Sequence, residues 1–134
     1  MDKKLKAIKK CVEGFFDCWK DKDFHKIAIY CQKTWLSQTQ GQFENALITL
    51  LGGYDVKSYK IGGIERAGAL ADNISVEVVF SIKGRRNETI TVYPKTVFEE
   101  APYRPSDTGT CGVNPLSILK DLNIRGLTAT KDEK

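Results

Sequence analysis

The chain is poor in the residues that usually announce chemistry. It has one histidine, His25, among 134 residues, which leaves no histidine cluster for a metal centre. The four cysteines, Cys11, Cys18, Cys31 and Cys111, include no Cys-x-x-Cys pair. On one helix, Cys11 and Cys18 stand roughly 10 Å apart along the axis. That is too far for a disulfide, whose Cα atoms lie within about 7 Å, and too far for joint zinc ligation. The thiols are therefore expected reduced and mostly buried, with no metal and no cofactor. Neither a P-loop nor a Rossmann glycine fingerprint is present. The chain also lacks the roughly 18 consecutive apolar residues that a membrane-spanning helix needs. In "MDKKLKAIKKCVEGFF" charges recur before any apolar run of signal-peptide length. The expectation is a cytoplasmic protein with no membrane partner.

What is present describes an ordinary globular domain: 41% hydrophobic and 28% charged residues. A net charge of +4 arises from 21 basic and 17 acidic side chains interleaved along the chain. The Lys3, Lys4, Lys6, Lys9 and Lys10 series and the Arg85-Arg86 turn lack interleaved aromatics. They read as solvated surface rather than a nucleic-acid footprint. The length predicts one domain over residues 1–122, followed by a charged, disordered tail over 123–134.

Leu5, Ile8, Cys11, Val12, Phe15, Phe16 and Trp19 recur at three and four, which predicts an amphipathic helix. Asp23 is placed to cap a second, shorter helix carrying Phe24, Ile27, Ala28, Tyr30 and Cys31. "KTWLSQTQGQ" reads as a connection with room for a short strand. Phe43 to Leu51 forms a third helix, with Gly52-Gly53 expected to close it in the left-handed conformation. The period then changes. Ile74, Val76, Val78, Phe80 and Ile82 alternate with polar residues as a half-buried strand. "GRRN" turns the chain, and Pro94 marks an edge or bulge in the strands that follow. Before them, Gly62-Gly63 interrupts a strand as a bend or bulge. "EEAPYRPSDTG" is a loop and "TCGV" a last strand. Asn114 caps a final helix with Pro115 at its first position, docking through Leu116, Leu119 and Leu122. Helices followed by meandering strands give an α+β class, with N-terminal helices packed on a strongly curved antiparallel β-sheet.

Four segments carry a family resemblance over roughly residues 3–119. "AIKKCVEGFFDCWKDKDFHKIAIYC" resembles an opening helix pair, and "FENALITLLGGYDVKSYKI" a later helix running into a long strand. "ISVEVVFSIKGRRNETITVY" matches a central hairpin and "CGVNPLSIL" a closing strand. Together they resemble the nuclear transport factor 2-like superfamily, whose cone-shaped fold wraps a helix in a curved sheet. Where relatives often carry a tryptophan entering the last strand, this chain has Cys111. The resemblance implies a homodimer formed through the sheet, with Val79, Tyr93 and Val97 on the outward face. It also implies a concave pocket for an apolar or aromatic small molecule.

Among the aromatics Phe15, Phe16, Trp19, Tyr30, Trp35, Phe43 and Tyr59, the pocket-lining candidates are Phe15, Trp19, Tyr30, Trp35 and Tyr59. Tyr30 and Trp35 lead because each has a polar atom beside an irregular segment. An isomerase-like site would need a carboxylate base and a tyrosine donor. Tyr30, Tyr59 and Tyr93 offer the donor, but Glu77 alternates away from the apolar row, Glu99 and Glu100 end a strand, and Asp55 begins one. His25 reads as a surface residue. No catalytic residue is therefore assigned. The leading expectation is a noncatalytic small-molecule-binding or protein-interaction domain. The alternative is a cofactor-independent isomerase, cyclase or dehydratase working by acid-base chemistry.

Overall fold

The structure is a computed structural model and describes residues 3–67, 71–81, 87–100, 104–105 and 110–124. Ile82, the Arg85-Arg86 turn and the tail from residue 125 lie outside the described residues. Helix α1 (Lys3–Lys20) is followed by a 3-10 helix (Lys26–Tyr30), α2 (Lys33–Gln38) and α3 (Phe43–Leu51). The strands are β1 (Asp55–Ala67), β2 (Ala71–Ser81), β3 (Asn87–Val92), β4 (Lys95–Glu100), the two-residue β5 (Arg104–Pro105) and β6 (Thr110–Asn114). Helix α4 (Pro115–Ile124) closes the described chain, so the predicted domain boundary at residue 122 falls inside it. The class is α+β, as expected.

One antiparallel sheet holds all six strands. Strand β1 runs along one edge of β2, while β3 and β4 share the other. Their registers explain how. Val76 pairs with Val92 and Asn73 with Lys95, so β3 and β4 continue one another along β2 without a slip. Pro94, which has no N–H to donate, breaks the ladder between them. Its carbonyl still accepts from Ile74 N–H at 3.4 Å. Two side chains of α4 serve the backbone beside the break: Asp121 Oδ2 accepts from Tyr93 N–H at 2.7 Å, and Ser117 Oγ from Lys95 N–H at 2.9 Å. Strand β1 has register shifts around Ile61 and Ile64, flanking Gly62-Gly63 where a bulge was expected. These irregularities curve the sheet around α1.

Helix α1 fills the concave side. Phe15 packs on Phe16 and Trp19, and those two pack against Tyr59, Tyr54 and Phe80, with ring centroids 5.5–6.5 Å apart. The Trp19 indole N–H donates to the carbonyls of Leu51 (3.1 Å) and Tyr54 (3.2 Å), which ties α1 to the end of α3. Each fully buried large side chain in this cluster contributes about 1.5–3 kcal/mol through burial, and Ile74, Val76, Val78, Ile90 and Val92 complete it from the sheet.

Five expectations are corrected. "KTWLSQ" is helical rather than a connection with a strand. Gly52 closes α3 in the right-handed region (φ −64°), with its N–H on the Ile48 carbonyl. Among the described residues the positive φ values belong instead to Lys22, Gln40 and Gly41. In α4 Leu122 and Leu119 pack on the core as expected and Ile118 joins them, but Leu116 does not dock: it is 49% exposed. Val97 is not on an exposed face: it is 4% exposed, flanked by Ala71 of β2 and Gly112 of β6. The N-cap position of the 3-10 helix is His25 rather than Asp23, although the Asp23 side chain accepts from Lys26 N–H at 3.1 Å.

Candidate functional site

A cleft lies between α2 and α3. The chain reverses at Gln40 (φ 52°) and Gly41 (φ 86°), both left-handed, and α2 and α3 on either side of this turn line one cleft. The cleft between them has a volume of about 470 Å³. Trp35, Ala46 and Leu50 give it an apolar floor, and Gln38, Gln42 and Asn45 give it an amide rim, with Thr39 and Thr49 beside them. Asn45 Nδ2 donates to Gln42 Oε1 at 3.0 Å, ordering two of the three amides. The size falls within the range of roughly 300–1,000 Å³ typical of small-molecule sites.

Helix α2 is held in place from far along the chain. Its N-terminal residue Gln32 makes no side-chain cap of its own. The carboxylate of Glu99, 2% exposed on β4, takes that role. Glu99 accepts from Lys33 N–H at 2.6 Å, Thr34 N–H at 3.2 Å, the Thr34 hydroxyl, and Gln32 Nε2 at 3.4 Å. A buried anion is thereby matched to the orphan donors and the positive end of a helix. Gly112 permits the neighbouring approach. A Cβ there would lie 2.6 Å from the Cys31 carbonyl oxygen and 2.7 Å from Gln32 Cα. Across this contact Gln32 N–H donates to the Val113 carbonyl at 2.8 Å.

The expected pocket residues do not converge on one site. Trp35 lies in the α2–α3 cleft. Tyr30 sits against Gly14 of α1 and lines a separate, smaller cleft with Cys11, Ile29 and Cys111. Phe15 and Trp19 are buried in the interior as packing residues, filling the volume that a pocket in the cone would need. Tyr59 lies at the edge of the core. Its hydroxyl donates to Asp17 Oδ1 at 2.6 Å and approaches the Glu13 carbonyl at 3.3 Å, latching β1 to α1. Burial, reinforced by the bond to Asp17, pushes the phenol well above its usual range.

Of the expected sheet contacts, Val79 is half-buried between Ser58 and Thr89. Lys60, Glu77 and Thr91 lie side by side on the adjacent strands, and they line a small polar hollow with Ser75. Tyr93 lies past the end of β3, beside the Pro94 break. His25 is exposed and pairs with Glu44 at 3.2 Å.

No protein-family model, curated protein or solved structure matches this chain. Among the described residues, no group of three or more His, Cys, Asp or Glu side chains is placed to hold a metal ion. No described helix is long and apolar enough to cross a membrane.

Two buried carboxylates escaped the sequence reading. Asp72 is 3% exposed and occupies the same alternating phase as Ile74 and Val76, two residues before the apolar row was taken to begin. Extending the period backward by one step would have found it. Glu99 had no such signal, because its partners are the backbone groups of a helix 65 residues away.

Proposed function

We propose that this chain is a noncatalytic binding domain of nuclear transport factor 2-like, cone-shaped architecture, which takes a small, flat, apolar molecule in the cleft between α2 and α3. The observation that carries this reading is the cleft itself: an apolar floor of Trp35, Ala46 and Leu50 under an ordered amide rim. A neutral ring system with one or two hydrogen-bonding substituents fits this chemistry. The ring covers the floor, and Gln38, Gln42 and Asn45 supply donors and acceptors at its edge.

Support for a noncatalytic role comes from how the chemical groups are used. The concave side of the sheet is packed with Phe15, Phe16, Trp19 and Phe80. The Tyr59 hydroxyl is engaged by Asp17, and the Glu99 carboxylate by the start of α2. Acid-base chemistry needs a carboxylate and a donor converging on a substrate-sized space. The α2–α3 cleft has no carboxylate in its lining.

The test is a titration with neutral aromatic amides and phenols, followed by Trp35 fluorescence. Saturable quenching or blue shift is expected. Ala46→Phe, which places a ring on the cleft floor, should abolish it while leaving the far-UV circular dichroism unchanged. Equal binding by Ala46→Phe, or no saturable response from any member of the series, would overturn the proposal.

A further inference from the structure

Cys11 on α1 and Cys111 on β6 are 100 residues apart in sequence and adjacent in the fold. Cys11 Sγ donates to the Cys111 carbonyl at 3.3 Å and to the Tyr30 carbonyl at 3.5 Å. A carbonyl oxygen lies about 2.4 Å from its own Cα, given the standard lengths of the two intervening bonds. The Cys11 sulfur is therefore held within a few ångströms of the Cys111 backbone. Cys11 and Cys111 both border the same surface cleft, of about 280 Å³, with Ala7, Lys10, Ile29 and Tyr30. Ile29 is 60% exposed at its mouth. Cys111 is half-buried and Cys11 is buried, so Cys111 is the more accessible of the two thiols. Cys18 and Cys31 are both buried and take no part in this cleft's lining.

We infer that Cys11 and Cys111 form an oxidisable dithiol, a modification site at which low-molecular-weight disulfides close a reversible cross-link between α1 and β6. The step balances as thiol–disulfide exchange. Cys111 loses its proton and attacks one sulfur of the small disulfide, expelling one equivalent of small thiol and leaving a mixed disulfide on Cys111. Cys11 then loses its proton and attacks the Cys111 sulfur, expelling the second equivalent. The protein is oxidised by two electrons, and the small disulfide is reduced to two thiols. The carbonyl contacts from Cys11 hold its sulfur beside the position where the mixed disulfide forms, which favours the second attack over accumulation of the adduct.

The resting pair is reduced and slow. Hydrogen bonding to Cys11 and burial both push the Cys111 thiol well above its usual range. Little thiolate is present at neutral pH, so the exchange responds to sustained oxidising conditions rather than to brief exposure.

The experiment equilibrates the native full chain with oxidised and reduced glutathione at a series of ratios, quenches in acid, alkylates the remaining thiols in denaturant, and maps peptides. The expected result is one intramolecular disulfide joining the Cys11 and Cys111 peptides, with Cys18 and Cys31 alkylated. Cys11→Ser should stop at a glutathione adduct on Cys111. The oxidised wild-type protein should melt at a higher temperature than the reduced one, and excess dithiothreitol should reverse the shift. Four alkylated cysteines at every ratio would overturn the inference. So would a Cys18–Cys31 link, or a stable glutathione adduct on wild-type Cys111. The wild-type peptide map decides the matter even if Cys11→Ser fails to fold.

Discussion

Replacing Glu99 with glutamine should loosen α2 and cost the whole domain measurable stability. The carboxylate is almost fully buried and accepts from four donors on Gln32, Lys33 and Thr34. Glutamine keeps the size and one acceptor oxygen, but it turns an amide nitrogen toward groups that themselves donate. A hydrogen bond to a charged group contributes about 1.5–3 kcal/mol, and leaving a buried donor unsatisfied costs about 1–3 kcal/mol. The loss of the N-terminal cap is part of the same effect, about 0.5–2 kcal/mol on its own. Because these contributions overlap, the expected total is about 2–3 kcal/mol. For a domain of this size that lowers Tm by on the order of 10 °C. Urea denaturation followed by circular dichroism would measure it, with Glu77→Gln on the exposed surface as a control expected within about 0.5 kcal/mol of wild type. If Glu99→Gln and Glu77→Gln unfold at the same urea concentration, the helix is not held by this carboxylate.

Other consequences are equally specific. Gly112→Ala should destabilise by about 1–3 kcal/mol, the usual cost of overpacking, because its Cβ would press on the backbone of Cys31 and Gln32; thermal melting reads this, and an unchanged Tm would refute the close approach. Burial pushes the Cys31 thiol up from 9.0 to about 12. A group whose pKa is raised on folding gives stability that is complete below its unfolded pKa and lost as pH rises toward the folded one. Stability should therefore fall between pH 9 and about 12, by on the order of 4 kcal/mol from this thiol. In Cys31→Ala the decline over that window should be shallower, and identical slopes for the two proteins would refute the assignment.

Much of this fold is legible in the sequence wherever the determinants are local. The three-and-four spacing from Leu5 to Trp19 places α1, the alternation from Ile74 to Phe80 places β2, and Asn114-Pro115 places the start of α4, where Asn114 Oδ1 accepts from Leu116 N–H at 3.0 Å. Gly62-Gly63 marks the bulge in β1 for the same reason. Where the determinant is distant, local reasoning fails. Helix α2 has six residues and no cap in its own sequence, and what stabilises its first turn comes from β4. Val97 looks outward by alternation alone, but a strand paired on both sides can be covered on both faces, and this position is.

The candidate site was legible only in part. Trp35 could be picked out as a large amphipathic side chain in a polar stretch, and it does lie in the cleft. The wall opposite it could not, because the polar composition around Gln40-Gly41 predicts only a connection and does not reveal the left-handed reversal between α2 and α3. Phe15 and Trp19 have the composition of a ligand box, yet they close the interior by packing on one another and on the sheet. Spacing reveals which residues face inward; it does not reveal whether that inward space is left open.

The central claim is that the α2–α3 cleft, not the interior of the cone, receives a ligand. The most direct test is a ¹H–¹⁵N correlation spectrum of the labelled protein recorded during titration with the tightest-binding neutral aromatic amide. The account expects saturable shifts concentrated at Trp35, Gln38, Gln42, Asn45 and Thr49, with the resonances of Phe15, Val76 and Phe80 unmoved. Shifts centred on those core residues instead, or spread evenly over the molecule, would contradict it.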